Sequence, residues 1–149
     1  MTGTDTRRAV TVAGQAALGS FLVFAGISHL TFAREEFRAQ VPSWFPVSPD
    51  PVVLVSGAAE ITLGLALLST WRQPARGIVG ATAAAFFIAV FPGNIAQFVE
   101  HKDGFGLDTD AKRAARLLFQ PLLVAWALAP TGAVRTLRSL RRRGRLPRA

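Results

Sequence analysis

VVLVSGAAEITLGLALL, residues 52–68, holds one charge, Glu60, in an otherwise apolar run, with no other charged residue from 51 through 69. A stretch of this length and composition suits an α-helix crossing the hydrocarbon core, which takes roughly 20 residues. Three more stretches have the same character, so the spans are expected at about 9–32, 52–70, 75–98 and 114–131. The reading is all-α: an integral membrane four-helix bundle with residues 1–8 as a short N-terminus, 9–131 as the membrane domain and 132–149 as a basic tail.

The composition agrees. Half of the 149 residues are hydrophobic, 13 are glycine and none is cysteine. Without cysteine the chain alone carries no disulfide, thiolate metal site or CxxC redox chemistry. The first apolar run, following Arg7 and Arg8, has a secretory signal peptide as its alternative, but it exceeds the roughly 7–15 apolar residues of a signal core. WRQPAR at 71–76 is a tight polar turn that makes a hairpin of the second and third spans. AREEFRAQVPSWFPVSPDP joins the first two; Phe37, Trp44 and Phe45 there suit the lipid headgroup level. EHKDGFGLDTDAK joins the last two, and Asp108 and Asp110 suit the start of the fourth helix.

Charge sets the expected orientation. With both termini cytoplasmic, the inner side holds Arg7, Arg8, Arg72, Arg76 and the seven arginines from Arg135 onward, against Asp5 alone. The outer side holds Arg34, Arg38, Lys102, Lys112, Arg113 and Arg116 against seven acids. This is the asymmetry that the positive-inside rule expects for an even number of spans. In the tail, Arg135, Arg138, Arg141, Arg142 and Arg143 are read as lipid contacts, since a basic cluster beside a span gains about 1 kcal/mol per residue from an anionic leaflet. A protein partner is the lesser alternative, and nucleic acid is not expected.

Within the spans the polar residues are Gln15, His29, Glu60, Asn94, Gln97, Arg116 and Gln120. Because successive spans run in opposite directions, all but Gln15 fall toward the outer side. Gln15, Gly19, Leu22, Gly26 and His29 share one helix face, as do Gly57, Glu60 and Gly64, and glycines there permit close helix approach. A charge facing lipid costs at least about 2.5–3.5 kcal/mol, so Glu60 is expected to face inward, with Arg116 as ion pair or His29 or Gln120 as hydrogen-bond donor. Pro92 and Gly93 in FPGN, and Pro121 after Gln120, are expected to kink the third and fourth helices beside this cluster. Gly77, Gly80 and Ala84 suit packing within or between chains.

GISHL near the end of the first span, VPSWFP after it, GAAEITLGL in the second, FPGNIAQ in the third and RLLFQPLL in the fourth stand in an order that resembles the DoxX-like family over about residues 14–128. The resemblance implies a four-helix bacterial membrane protein with its polar positions at His29, Glu60, Asn94, Gln97, Arg116 and Gln120. It also implies association with thiosulfate and quinone oxidation or oxidant defence, although thiol chemistry would need sulfur from a partner.

Three functional readings use the same residues. The cluster is a pocket for a lipid-soluble metabolite such as a quinone, in a module that works with a redox partner or as a homo-oligomer; or it is a purely structural network in a scaffold; or Glu60 and His29 relay protons in a transporter. No resident cofactor is evident beyond a quinone. Metal is not expected, because His29, Glu60 and His101 lack HxxH, HExxH or paired-carboxylate spacing. No nucleophile motif or phosphate loop is present.

Overall fold

The computed structural model describes residues 3–143, and every one of its regular elements is a helix. They are α1 (Gly3–Leu30), α2 (Arg34–Arg38), α3 (Pro49–Ser69), α4 (Ala75–Val99), α5 (Asp110–Thr131) and α6 (Ala133–Arg143). Four of them, α1, α3, α4 and α5, are long and apolar enough to cross a membrane. The 21 residues of α3 rise about 31 Å, the thickness of a bilayer's hydrocarbon core.

The packing is that of a chain surrounded by lipid. Leu18, Leu22, Leu67, Ala83, Ala84, Phe87 and Ala127 make a narrow core. Val55, Phe24, Leu118, Phe119 and Leu122, each more than 60% exposed, lie on the outside. Lipid supplies no hydrophobic drive between helices, so contact depends on close backbone approach. α1 and α3 achieve it through reciprocal glycines: a Cβ on Gly26 would lie 2.5 Å from the Gly57 carbonyl oxygen, and one on Gly57 would lie 2.9 Å from that of Gly26. On α4, Gly77 faces Thr136, Gly80 faces Thr131 and Ala84 enters the core, so these small residues serve packing within the chain.

The bundle is a square. α1 packs chiefly on α3 and α4 chiefly on α5, with thinner seams between α1 and α5 and between α3 and α4. α1 and α4 face each other diagonally, as do α3 and α5. α4 runs unbroken through Pro92, and α5 through Pro121 and Pro130, so each proline removes one helical donor without ending its helix. α5 begins earlier than the apolar pattern indicates: Thr109, not an aspartate, is its N-cap and accepts from the Lys112 amide. The tail through Arg143 is helical, whereas Arg145 and Arg148 lie outside the described residues.

One end of the square is tied by side chains that cap helix ends. The last carbonyls of a helix lack intrahelical donors. Gln15 Nε2 donates to the Leu67 and Thr70 carbonyls at 2.7 and 2.9 Å, and Gln15 Oε1 accepts from Arg76 Nε at 2.5 Å. Arg76 Nη2 reaches the Pro130 carbonyl at 2.8 Å. Gln73 donates to the Thr131 carbonyl at 2.7 Å and accepts from the Gly77 amide and the Thr136 hydroxyl. Gln15 therefore has a structural partner set of its own, far from His29.

At the other end the connections form a roof. Asp50 holds Arg34 of α2 through both carboxylate oxygens. Glu100 accepts from the Ser43 amide at 3.2 Å and pairs with Lys102 at 2.7 Å, and Lys102 donates to the Val41 carbonyl. Arg113, 6% exposed, bonds Asp103, Asp110 and the Lys102 carbonyl, closing the α4–α5 loop.

Candidate functional site

Beneath the roof lies a cavity of about 270 Å³ to which all four long helices contribute. α1 brings Phe24, Ser28 and His29, α3 brings Ser56 and Glu60, α4 brings Phe87 and Asn94, and α5 brings Arg116, Gln120 and Leu123; Phe37, Gln40 and Phe105 cover it. Helical spacing makes this convergence, because each polar residue shares a face with the residues that meet the neighbouring helix. Five of the six residues marked out in the sequence line this one cavity. Gln97 does not: it is 1% exposed beneath Gly104, and neither its Nε2 nor its Oε1 has a hydrogen-bond partner.

The polar residues fall into two groups on opposite walls. On one wall, His29 Nδ1 lies 2.9 Å from the Ala25 carbonyl and 3.0 Å from Glu60 Oε2. A single ring proton cannot serve both acceptors, and the carbonyl bond is the aligned one. Glu60 Oε2, in a residue 9% exposed, is left close to the imidazole but without a hydrogen bond. On the other wall the donors run in one direction: Arg116 Nε to Asn94 Oδ1 at 3.2 Å, Asn94 Nδ2 to Gln120 Oε1 at 2.9 Å, and Gln120 Nε2 to the Phe87 carbonyl. Phe87 immediately precedes Ile88, whose carbonyl loses its helical donor to Pro92. The Arg116 guanidinium also lies 5.0 Å from the centre of the Phe105 ring.

Arg116 and Glu60 are therefore not an ion pair among the described residues, contrary to the expectation from their depth, and Gln120 is not the donor to Glu60. The reason is geometric. α3 and α5 stand on the diagonal of the square, with the cavity between them, while α4 offers Arg116 the nearer acceptor in Asn94. The carboxyl group and the guanidinium thus face a common space without pairing.

The roof supplies residues that the apolar pattern did not reveal. Phe37, expected at the lipid surface, turns inward, stacking on His29 with ring centroids 3.2 Å apart and meeting Phe105 edge-on at 4.6 Å. Trp44 and Phe45 do remain exposed. Gln40, whose Nε2 is buried without a partner, lines the cavity too, and a polar residue just before a proline-rich turn carried no signal of burial. Gly93 has a different use from loosening its helix: a Cβ there would lie 2.7 Å from the Gln40 carbonyl oxygen, so the glycine admits the roof backbone. A second space of about 250 Å³ shares His29, Phe37, Gln40, Ser56 and Val90, then continues past Pro92 and Gly93 into the α3–α4 seam.

The site offers a guanidinium, an imidazole, a carboxylate and amides between aromatic walls. Among the described residues no group of three or more His, Cys, Asp or Glu side chains is placed to hold a metal ion. The profile of a family described as a domain of unknown function, DUF8561, matches residues 18–131, which include every residue lining the cavity, and the chain belongs to that family. No curated protein and no solved structure matches it.

Proposed function

We propose that this DUF8561 member is a membrane module that binds a lipid-soluble small molecule with a polar, quinone-like head in the cavity beneath the roof. The observation that carries the reading is the Glu60 carboxyl and the Arg116 guanidinium, not paired with each other, on diagonal helices around an aromatic-walled space, with Glu60 Oε2 and Gln40 Nε2 lacking partners. A buried polar atom without a hydrogen bond costs about 1–3 kcal/mol, which a ligand offering matching groups offsets. In the quinone form the ring carbonyls accept from Arg116 and Gln40 Nε2, in the quinol form a ring hydroxyl donates to Glu60, and the ring plane suits the faces of Phe37 and Phe105. Phe24 and Leu123 extend the lining with apolar surface for a tail.

The setting follows from charge and resemblance. The arginine excess at the end bearing the chain termini favours a cytoplasmic location for that end, so the cavity opens toward the outer leaflet of a bacterial cytoplasmic membrane. The DoxX-like order of motifs favours a role as a membrane subunit in redox or oxidant-defence metabolism, beside a partner that supplies the chemistry.

Native mass spectrometry of the protein released from mild detergent, with and without added short-tail ubiquinone or menaquinone in oxidised or reduced form, tests the reading. The expected result is a retained quinone that is lost on Arg116→Ala and a retained quinol that is lost on Glu60→Gln. Equal retention by the wild type and both variants overturns it.

A further inference from the structure

The opposite end of the molecule carries a second candidate site, built on α6. The chain leaves α5 at Gly132, where φ is 70°, and α6 then packs along α4. Ala133 and Thr136 are its buried face, while Val134, Leu137 and Leu140, three residues apart, are 40–48% exposed. Arg135, Arg138, Arg141, Arg142 and Arg143 occupy the rest of the helix, which has no acid. Among the described residues none of the five has a carboxylate partner.

Such a helix is poorly stable on its own. Its 11 residues fall below the roughly 12–15 at which isolated helices become marginal in water. Like charges three and four residues apart, such as Arg135–Arg138 and Arg138–Arg142, repel. An anionic surface removes that repulsion, and a neighbouring apolar layer covers Val134, Leu137 and Leu140. Both are met where a bilayer's headgroups meet its acyl chains. Exposed Trp71, with Arg7, Arg8 and Arg76 around another space of about 450 Å³, lies at the same end.

Between α6 and the α3–α4 turn is a cavity of about 550 Å³ lined by Gln73, Gly132, Arg135, Ser139 and Arg143, among others. Gln73 is occupied by Thr131, Gly77 and Thr136, and the Ser139 hydroxyl donates to the Thr136 carbonyl. Arg135 and Arg143 are the remaining donors. We propose that this cavity seats the phosphate of an anionic phospholipid between Arg135 and Arg143, with α6 lying in the headgroup layer. The guanidinium fork matches phosphate oxygens in pairs, which makes arginine rather than lysine the fitting residue.

The test uses the full chain in mild detergent, with lipid retention read by native mass spectrometry. Phosphatidylglycerol is expected to be retained over phosphatidylcholine of the same acyl chains, and the doubly substituted Arg135→Ala/Arg143→Ala protein is expected to lose that retention about tenfold or more. Arg138→Ala/Arg141→Ala, on the same helix but outside the cavity, is expected to lose less. Unchanged helicity by circular dichroism shows that the variants fold; should the alanine pair not fold, Arg135→Lys/Arg143→Lys keeps the charge without the fork and is expected to lower the preference for phosphatidylglycerol. Equal retention of the two lipids, equal losses in the two alanine pairs, or thermal stabilisation by soluble glycerol phosphate matching that by phosphatidylglycerol would each overturn the proposal.

Discussion

The two ends of the bundle both bury polar side chains, yet they treat them differently. At the end formed by Gln15, Gln73, Arg76, Thr131 and Thr136, donors and acceptors close on one another and on helix-terminal carbonyls. At the roofed end, the run from Arg116 through Asn94 and Gln120 is bonded, but Glu60 Oε2, Gln40 Nε2 and both polar atoms of Gln97 are not. A closed network adds stability and holds helices in register, whereas an open one costs stability and leaves groups ready for another molecule. Burial alone does not separate a structural polar residue from a functional one; completeness of pairing does.

The sharpest way to break this contrast is Arg76→Ala. It strips the donors from Gln15 Oε1 and the Pro130 carbonyl, and the expected loss is about 2–4 kcal/mol in detergent unfolding. Glu60→Gln should instead change stability by less than about 1 kcal/mol, while weakening quinol retention about tenfold, equivalent to about 1.4 kcal/mol. If Glu60→Gln destabilises as much as Arg76→Ala and no lipid-soluble ligand restores the loss, both ends are locks. Gln97→Leu replaces an unbonded amide with an apolar side chain and should stabilise by about 1 kcal/mol, read as a raised midpoint in the same assay.

The smallest effect concerns the roof. Lys102 holds the Glu100 carboxyl below its ordinary range, and the Ser43 amide adds to this. Lys112 does the same for Asp108. Carboxyls depressed in the folded state contribute stability above their unfolded pKa, and that contribution is lost as pH falls through the folded value. Acidification below the ordinary carboxylate range should therefore loosen the roof, seen as lower amide protection factors at residues 41, 43 and 100–108. Lys102→Ala should remove the Glu100 part of that pH dependence. Unaltered protection factors from neutral pH down through that range would show that these pairs do not hold the roof.

Much of this was legible along the chain. Four apolar runs of spanning length, the inward face of Glu60 and the convergence of His29, Asn94, Arg116 and Gln120 follow from helical period and alternating direction. Gln97 satisfies the same rules yet sits beneath Gly104, outside the cavity, because three residues along a helix also turn a side chain toward a different neighbour. Gln15 looked like an outlier because its partners are carbonyls at 67 and 70 and an arginine at 76. A backbone carbonyl has no sequence signature.

The sequence by itself determined the four long helices and which residues share a face, since these depend on apolar runs of spanning length and a local period of 3.6 residues. Only the tertiary structure decided that α3 and α5 stand on a diagonal, so that Glu60 meets His29 while Arg116 turns to Asn94. It also brought Phe37 and Gln40 down over the site and folded α6 against α4. Those outcomes depend on which helix becomes whose neighbour, and that is settled by small residues meeting across distant parts of the chain, Gly26 on Gly57 and Gly80 on Thr131, rather than by any pattern within one segment.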